Sequence, residues 1–114
     1  MNTIIIGNLE ILSEDIGKIR YVDAKTACEK LNINGTYDWR LPSKEELLLM
    51  YSNKERIGSF FNGFYWSEEN TLTKEIYALN FQVGRGSIMN LKDIILQESF
   101  KLYSNYYTRP VRTT

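Results

Sequence analysis

"YDWRLPSKEELLLMY", residues 37–51, holds the sharpest local signals in the chain. Ser43 has the side chain of a helix N-cap. Glu46, three residues on, can return a hydrogen bond to the Ser43 backbone and complete a capping box. Pro42 directly before the cap cannot extend the helix backwards. Leu47, Leu48, Met50 and Tyr51 supply a broad apolar face, which fades near Ser52-Asn53. Ahead of the cap, Trp39 offers a large apolar area for burial, and Arg40 a planar fork for a carboxylate or for carbonyls. Trp39, Arg40, Leu41 and Pro42 therefore read as a structural clamp, not a reactive centre.

Towards the N-terminus, Ile4–Ile6 and Leu9–Leu12 flank Gly7-Asn8, the pattern of a hairpin or bent strand. Asp23 is expected to cap a helix over residues 24–32, with Ala24, Ala27, Cys28 and Leu31 on its packed face. Asn34-Gly35 marks a turn. Towards the C-terminus, "FFNGFYWS" reads as a loop entering a short strand. "EIYALNFQVG" alternates as a strand over 75–84, with Gly84-Arg85-Gly86 as the turn after it and "SIMNL" as its partner strand. Residues 92–105 read equally as a strand or a long excursion. "YYTRPVR" closes the chain as a strand in which Pro110 demands an edge position or a bulge. Pairing of the N- and C-terminal strands is expected. The pattern gives an α+β class: a single domain over 1–114, with two helices in the first half packed on short, mostly antiparallel strands.

Composition narrows the chemistry. Fourteen basic residues balance fourteen acidic ones, so the chain lacks the electrostatic footprint of a nucleic-acid binder. No apolar run approaches a membrane span, and the N-terminus has no basic leader, so synthesis in the cytoplasm without membrane insertion is expected. Histidine is absent, which removes imidazole bases, ligands and triads. The one cysteine, Cys28, lies among alanines and a leucine as a small buried hydrophobe and can form no internal disulfide.

The ordered segments "YVDAKTACEKL", "DWRLPSKEEL", "FYWSEEN", "YALNFQVG" and "TRPVR" resemble the Lcl C-terminal (DUF1566) family of bacterial and phage domains across about residues 9–112. The resemblance implies a C-type-lectin-like fold and, for a phage-encoded member, association with the virion. Tyr21 stands where that family often has tryptophan, Ser67-Glu68 where it has a serine pair, and Thr108 where valine is common. A more distant likeness to formylglycine-generating enzymes implies chemistry on paired cysteines, and this chain has one.

These readings converge on a non-enzymatic recognition module without a cofactor. It would bind a glycan or a protein surface through the loops Glu68–Lys74, Gly84–Asn90 and Gln97–Asn105. Trp66, Tyr103 and Tyr106 would give contact area, and Glu68, Asn70, Arg85, Asn90 and Asn105 directional hydrogen bonds. Glu68, Glu69 and Asn70 follow a tryptophan as calcium ligands do in sugar-binding C-type lectins, so they are the weak metal candidates. Arg112 is expected to tie down the C-terminus, with Asp38 as a partner. The rival reading is self-association as an assembly protein, through a terminal strand bearing Tyr106, Val111 and Arg112.

Overall fold

A computed structural model describes residues 2–99 and 104–114. The N-terminal hairpin forms as expected: β1 (Thr3–Ile6) and β2 (Leu9–Leu12) pair antiparallel across Gly7, whose φ of +61° suits the first position of a two-residue hairpin turn. β3 (Gly17–Ile19) follows, then α1 (Tyr21–Glu29), α2 (Lys44–Ser52) and the single turn α3 (Lys54–Ile57). The second half supplies β4 (Phe64–Trp66), β5 (Glu75–Asn80), β6 (Arg85–Asn90), α4 (Leu91–Ser99), β7 (Tyr106–Thr108) and β8 (Val111–Thr113).

The architecture is mixed α+β, with helices packed on two sheets. The smaller, in order β1-β2-β8, is antiparallel and joins the two ends of the chain, because Leu9 to Ile11 face Thr113 to Val111. The larger runs β3-β7-β4-β5-β6 and is antiparallel except for the β4–β7 pair. Pro110 sits where the last strand crosses between sheets. Lacking a donor, it separates β7 in one sheet from β8 in the other.

The large sheet is covered on both faces. Leu47 and Met50 of α2 pack with Tyr65, Leu79 and Phe81 on one face; Ala24 and Cys28 of α1 pack with Trp66, Ile76 and Ile94 on the other. β5 therefore carries buried residues on both sides.

Four expectations are corrected. Helix α1 starts at Tyr21 behind Arg20, and Asp23 is no cap. Its carboxylate instead takes two hydrogen bonds from the Arg20 guanidinium, Nε at 2.7 Å and Nη2 at 3.1 Å. Leu48 is exposed, so the buried stripe of α2 narrows to Leu47 and Met50 with Tyr51 beside it. The turn after β5 is Phe81–Gly84, which places Arg85 and Gly86 inside β6, so the expected loop Gly84–Asn90 is a strand from Arg85 onwards. Leu91–Ser99 is helical, because Leu91 and Ile94 can reach the core on one face while the neighbouring residues face solvent.

The clamp has specific geometry. The capping box is complete: Glu46 N–H donates to Ser43 Oγ at 3.1 Å and Ser43 N–H to Glu46 Oε1 at 2.8 Å. Arg40 donates to both Glu46 oxygens, at 2.6 and 2.8 Å, and its backbone bridges Val111 in both directions at 2.9 Å. Trp39, Leu41 and Pro42 are buried. Arg112 donates to Asp38 Oδ1 at 2.7 Å and to Glu10 Oε1 at 2.6 Å, joining the last strand to β2.

Candidate binding cleft

Hydrogen bonds fix the path of the 67–75 segment. Buried Ser67 links β4 to β5 twice: its N–H donates to the Tyr77 carbonyl at 2.9 Å, and its Oγ accepts from the Tyr77 N–H at 2.9 Å. Glu68 N–H donates to the Pro42 carbonyl at 2.7 Å, which ties the segment to the clamp ahead of α2. Glu69 N–H donates to Tyr21 Oη at 3.1 Å. Asn70 Oδ1 accepts from the N–H groups of Leu72 and Thr73 at 2.9 and 3.2 Å, closing a tight Asx turn.

The cleft this segment borders has a volume of about 250 Å³. Its floor is Tyr77 and Ile88, register partners on β5 and β6. One wall is the N-terminus of α2, at Ser43, Lys44 and Glu45; the other is Ser67–Asn70 with Thr73 and Glu75. Tyr77 lies flat on the backbone of Gly86, where an added Cβ would fall 2.0 Å from the ring. Lys44 Nζ sits 5.1 Å from the centre of the Tyr77 ring, a cation over an aromatic face.

The electrostatics are acidic. Glu45, Glu68, Glu69 and Glu75 line the cleft against one lysine, Lys44. Burial pushes the Glu68 carboxyl above its ordinary range, with Arg40 and Lys25 pulling back. Lys25 reaches Glu69 Oε1 at 3.1 Å, while Glu69 Oε2 is buried without a hydrogen-bond partner. On the other face of the sheet, burial pushes the Cys28 thiol up to about 12.

The residues expected to bind are only partly brought together. Glu68 and Asn70 line the cleft, with Asn90 at the same end of the sheet opposite Glu75. Arg85 is exposed at the other end of β6, about 17 Å along the strand from Asn90. Asn105 is exposed ahead of β7, three strands from β6. Trp66 is corrected: it is 1% exposed, its Nε1 donates to the Ile19 carbonyl, and it presents no face to a ligand. Tyr106 is half-buried, its ring 4.5 Å from Trp66 and 5.1 Å from Phe64. Tyr103 lies outside the described residues.

Of the calcium candidates, Asn70 Oδ1 serves its own turn and Glu69 Oε1 serves Lys25. Among the described residues no three acidic, cysteine or histidine side chains converge for a metal. The terminal strand offered for self-association lies at the edge of the smaller sheet, where Val111 is fully buried and is bridged on its outer side by Arg40.

Ser43, Lys44, Tyr77 and Ile88 were missed as site residues, since only the fold brings the start of α2 over the β5–β6 pair. Arg109 was missed as a core residue. No family model matches the chain, and no curated protein matches it. Among the described residues, no helix is long and apolar enough to cross a membrane.

Proposed function

We propose that the chain is a C-type-lectin-like binding module and that the Tyr77–Ile88 cleft holds a saccharide. The resemblance to the Lcl C-terminal family supports the fold assignment, and the cleft supports the ligand class. The observation that carries the reading is an apolar floor ringed by hydrogen-bonding side chains. A sugar ring has apolar C–H faces and a rim of hydroxyls. Tyr77 and Ile88 offer a surface for the first, and carboxylates, Thr73 and Ser43 offer partners for the second. The excess of acceptors selects donor-rich ligands: neutral sugars and amino sugars are favoured, and uronic or sialic acids are repelled by the four carboxylates. Lys44, resting on Tyr77, would give way or turn its ammonium to a hydroxyl.

The role assigned is binding, not turnover. A panel of immobilised glycans, probed with the wild type and with Tyr77→Ala, tests it. Saturable capture of neutral or amino sugars that Tyr77→Ala loses while staying folded supports the reading. Capture of uronic acids alone, or by both proteins equally, refutes it.

A further inference from the structure

β6 (Arg85–Asn90) ends the five-stranded sheet, and the direction of its backbone groups follows from its neighbour. Tyr77 turns both its N–H and its C=O towards Ser67, on the β4 side. Alternation along the strand then turns those of Ile76, Ala78 and Asn80 towards β6, where they meet Met89, Ser87 and Arg85. The N–H and C=O groups of Gly86 and Ile88 are left pointing outward, and no described residue bonds to them. This edge has little of the usual protection. It contains no proline, no lysine and one charge, at Arg85; Ile88 is 58% exposed.

We propose that this strand pairs antiparallel with β6 of a second copy of the chain, about a two-fold axis at Ile88. A two-fold perpendicular to the sheet sets Ile88 opposite Ile88 of the second copy and Gly86 opposite its Asn90. Residues 86, 88 and 90 share one face of the sheet, so the pairing respects the pleat. The outward N–H and C=O of Ile88 then exchange two hydrogen bonds with their own equivalents, and two exposed isoleucine side chains cover each other. A second copy suits this edge better than an unrelated peptide because the match is self-complementary. The chain carries no net charge to oppose it, and the two Arg85 side chains fall about 20 Å apart on opposite sides of the axis. The product is one continuous ten-stranded sheet.

Sedimentation equilibrium without any saccharide tests this, so its failure is separate from failure of the binding reading. The wild-type mass is expected to rise with concentration from 13.4 kDa towards about twice that value. Ile88→Pro removes an outward N–H without touching the β5–β6 ladder, and is expected to remain monomeric with an unchanged circular dichroism spectrum. Ile88→Cys would place two thiols across a hydrogen-bonded pair, about 5.5 Å between Cα atoms and within disulfide reach. It is expected to cross-link about tenfold faster under mild oxidation than Leu72→Cys, which is 91% exposed but off the axis. Buried Cys28 does not compete. A wild type that stays at monomer mass at every concentration overturns the proposal, as does Ile88→Cys cross-linking no faster than Leu72→Cys.

Discussion

Arg109 Nε donates to Asp15 Oδ1 at 2.7 Å, and the two side chains are 0% and 6% exposed. The same guanidinium donates to the carbonyls of Leu12, Gly58 and Ser59 and lies 4.1 Å from the centre of the Phe60 ring. Asp15 also accepts from the Tyr65 hydroxyl at 2.7 Å. One buried arginine thus joins the crossing at Pro110 to the ends of β2 and α3 and, through Asp15, to β4. Burial pushes the Asp15 carboxyl up, and the pull of Arg109 and Tyr65 only partly offsets it.

Removing one partner leaves the other charge buried and alone. Arg109→Met or Asp15→Asn is therefore expected to cost about 3–5 kcal/mol of folding stability, read by urea denaturation. The double variant should recover part of that loss, since no unpaired charge remains.

Glu46 gives the acid response a definite sign. The Arg40 hydrogen bond, with the Ser43 backbone, holds its carboxyl below the ordinary 4.5. A depressed folded value means the contribution is complete above about pH 4.5 and is lost as pH falls through the folded value. Glu46→Gln is expected to cost about 0.5–1.5 kcal/mol at pH 7, modest because the pair is partly solvated. The gap between the two proteins should close as pH falls, measured by denaturation midpoints from pH 7 to pH 3.

Gly86→Ala separates stability from binding. The backbone there is unstrained, but the new methyl would meet the far end of the Tyr77 side chain, which must shift to admit it. Stability should shift by no more than about 1 kcal/mol, since alanine also relieves the entropic cost of glycine in a strand. Saccharide binding should fall at least tenfold, because the cleft floor moves. Denaturation and titration of the same preparation check both.

Glu68 sets a pH limit on binding. Its carboxyl titrates above the ordinary 4.5, so affinity is expected to fall as pH drops through that raised value and the acceptor is lost. Glu68→Gln should bind more weakly at neutral pH and show a flatter profile, read by calorimetric titration between pH 4.5 and pH 7.5.

What the sequence made legible was local. Ser43 and Glu46 announce a helix start because a capping box needs only residues three apart. Gly7-Asn8 announces a hairpin in the same way. Arg109 gave no such signal, because the groups that hold it stand 50 to 97 positions away. Trp66 shows the limit of reading type without burial: a tryptophan suits a core or a sugar platform equally, and only the packing of Tyr21 and Tyr106 against it decides. In α4, the run Ile94-Ile95-Leu96 hides the helical period, since contiguous apolar residues fit a strand equally well. The cleft was half legible. Glu68 and Asn70 announce a polar loop, but their position over Tyr77 depends on Ser67 stitching β4 to β5.

The most direct measurement is a backbone amide shift map of the isotopically labelled protein, titrated with the neutral or amino sugar that binds best on the glycan panel. Saturable shifts are expected, concentrated at Ser43–Glu45, Ser67–Asn70, Tyr77 and Ile88. Shifts centred instead on Asn105–Tyr106 or Arg85, or none from any sugar at millimolar concentration, would contradict the saccharide reading.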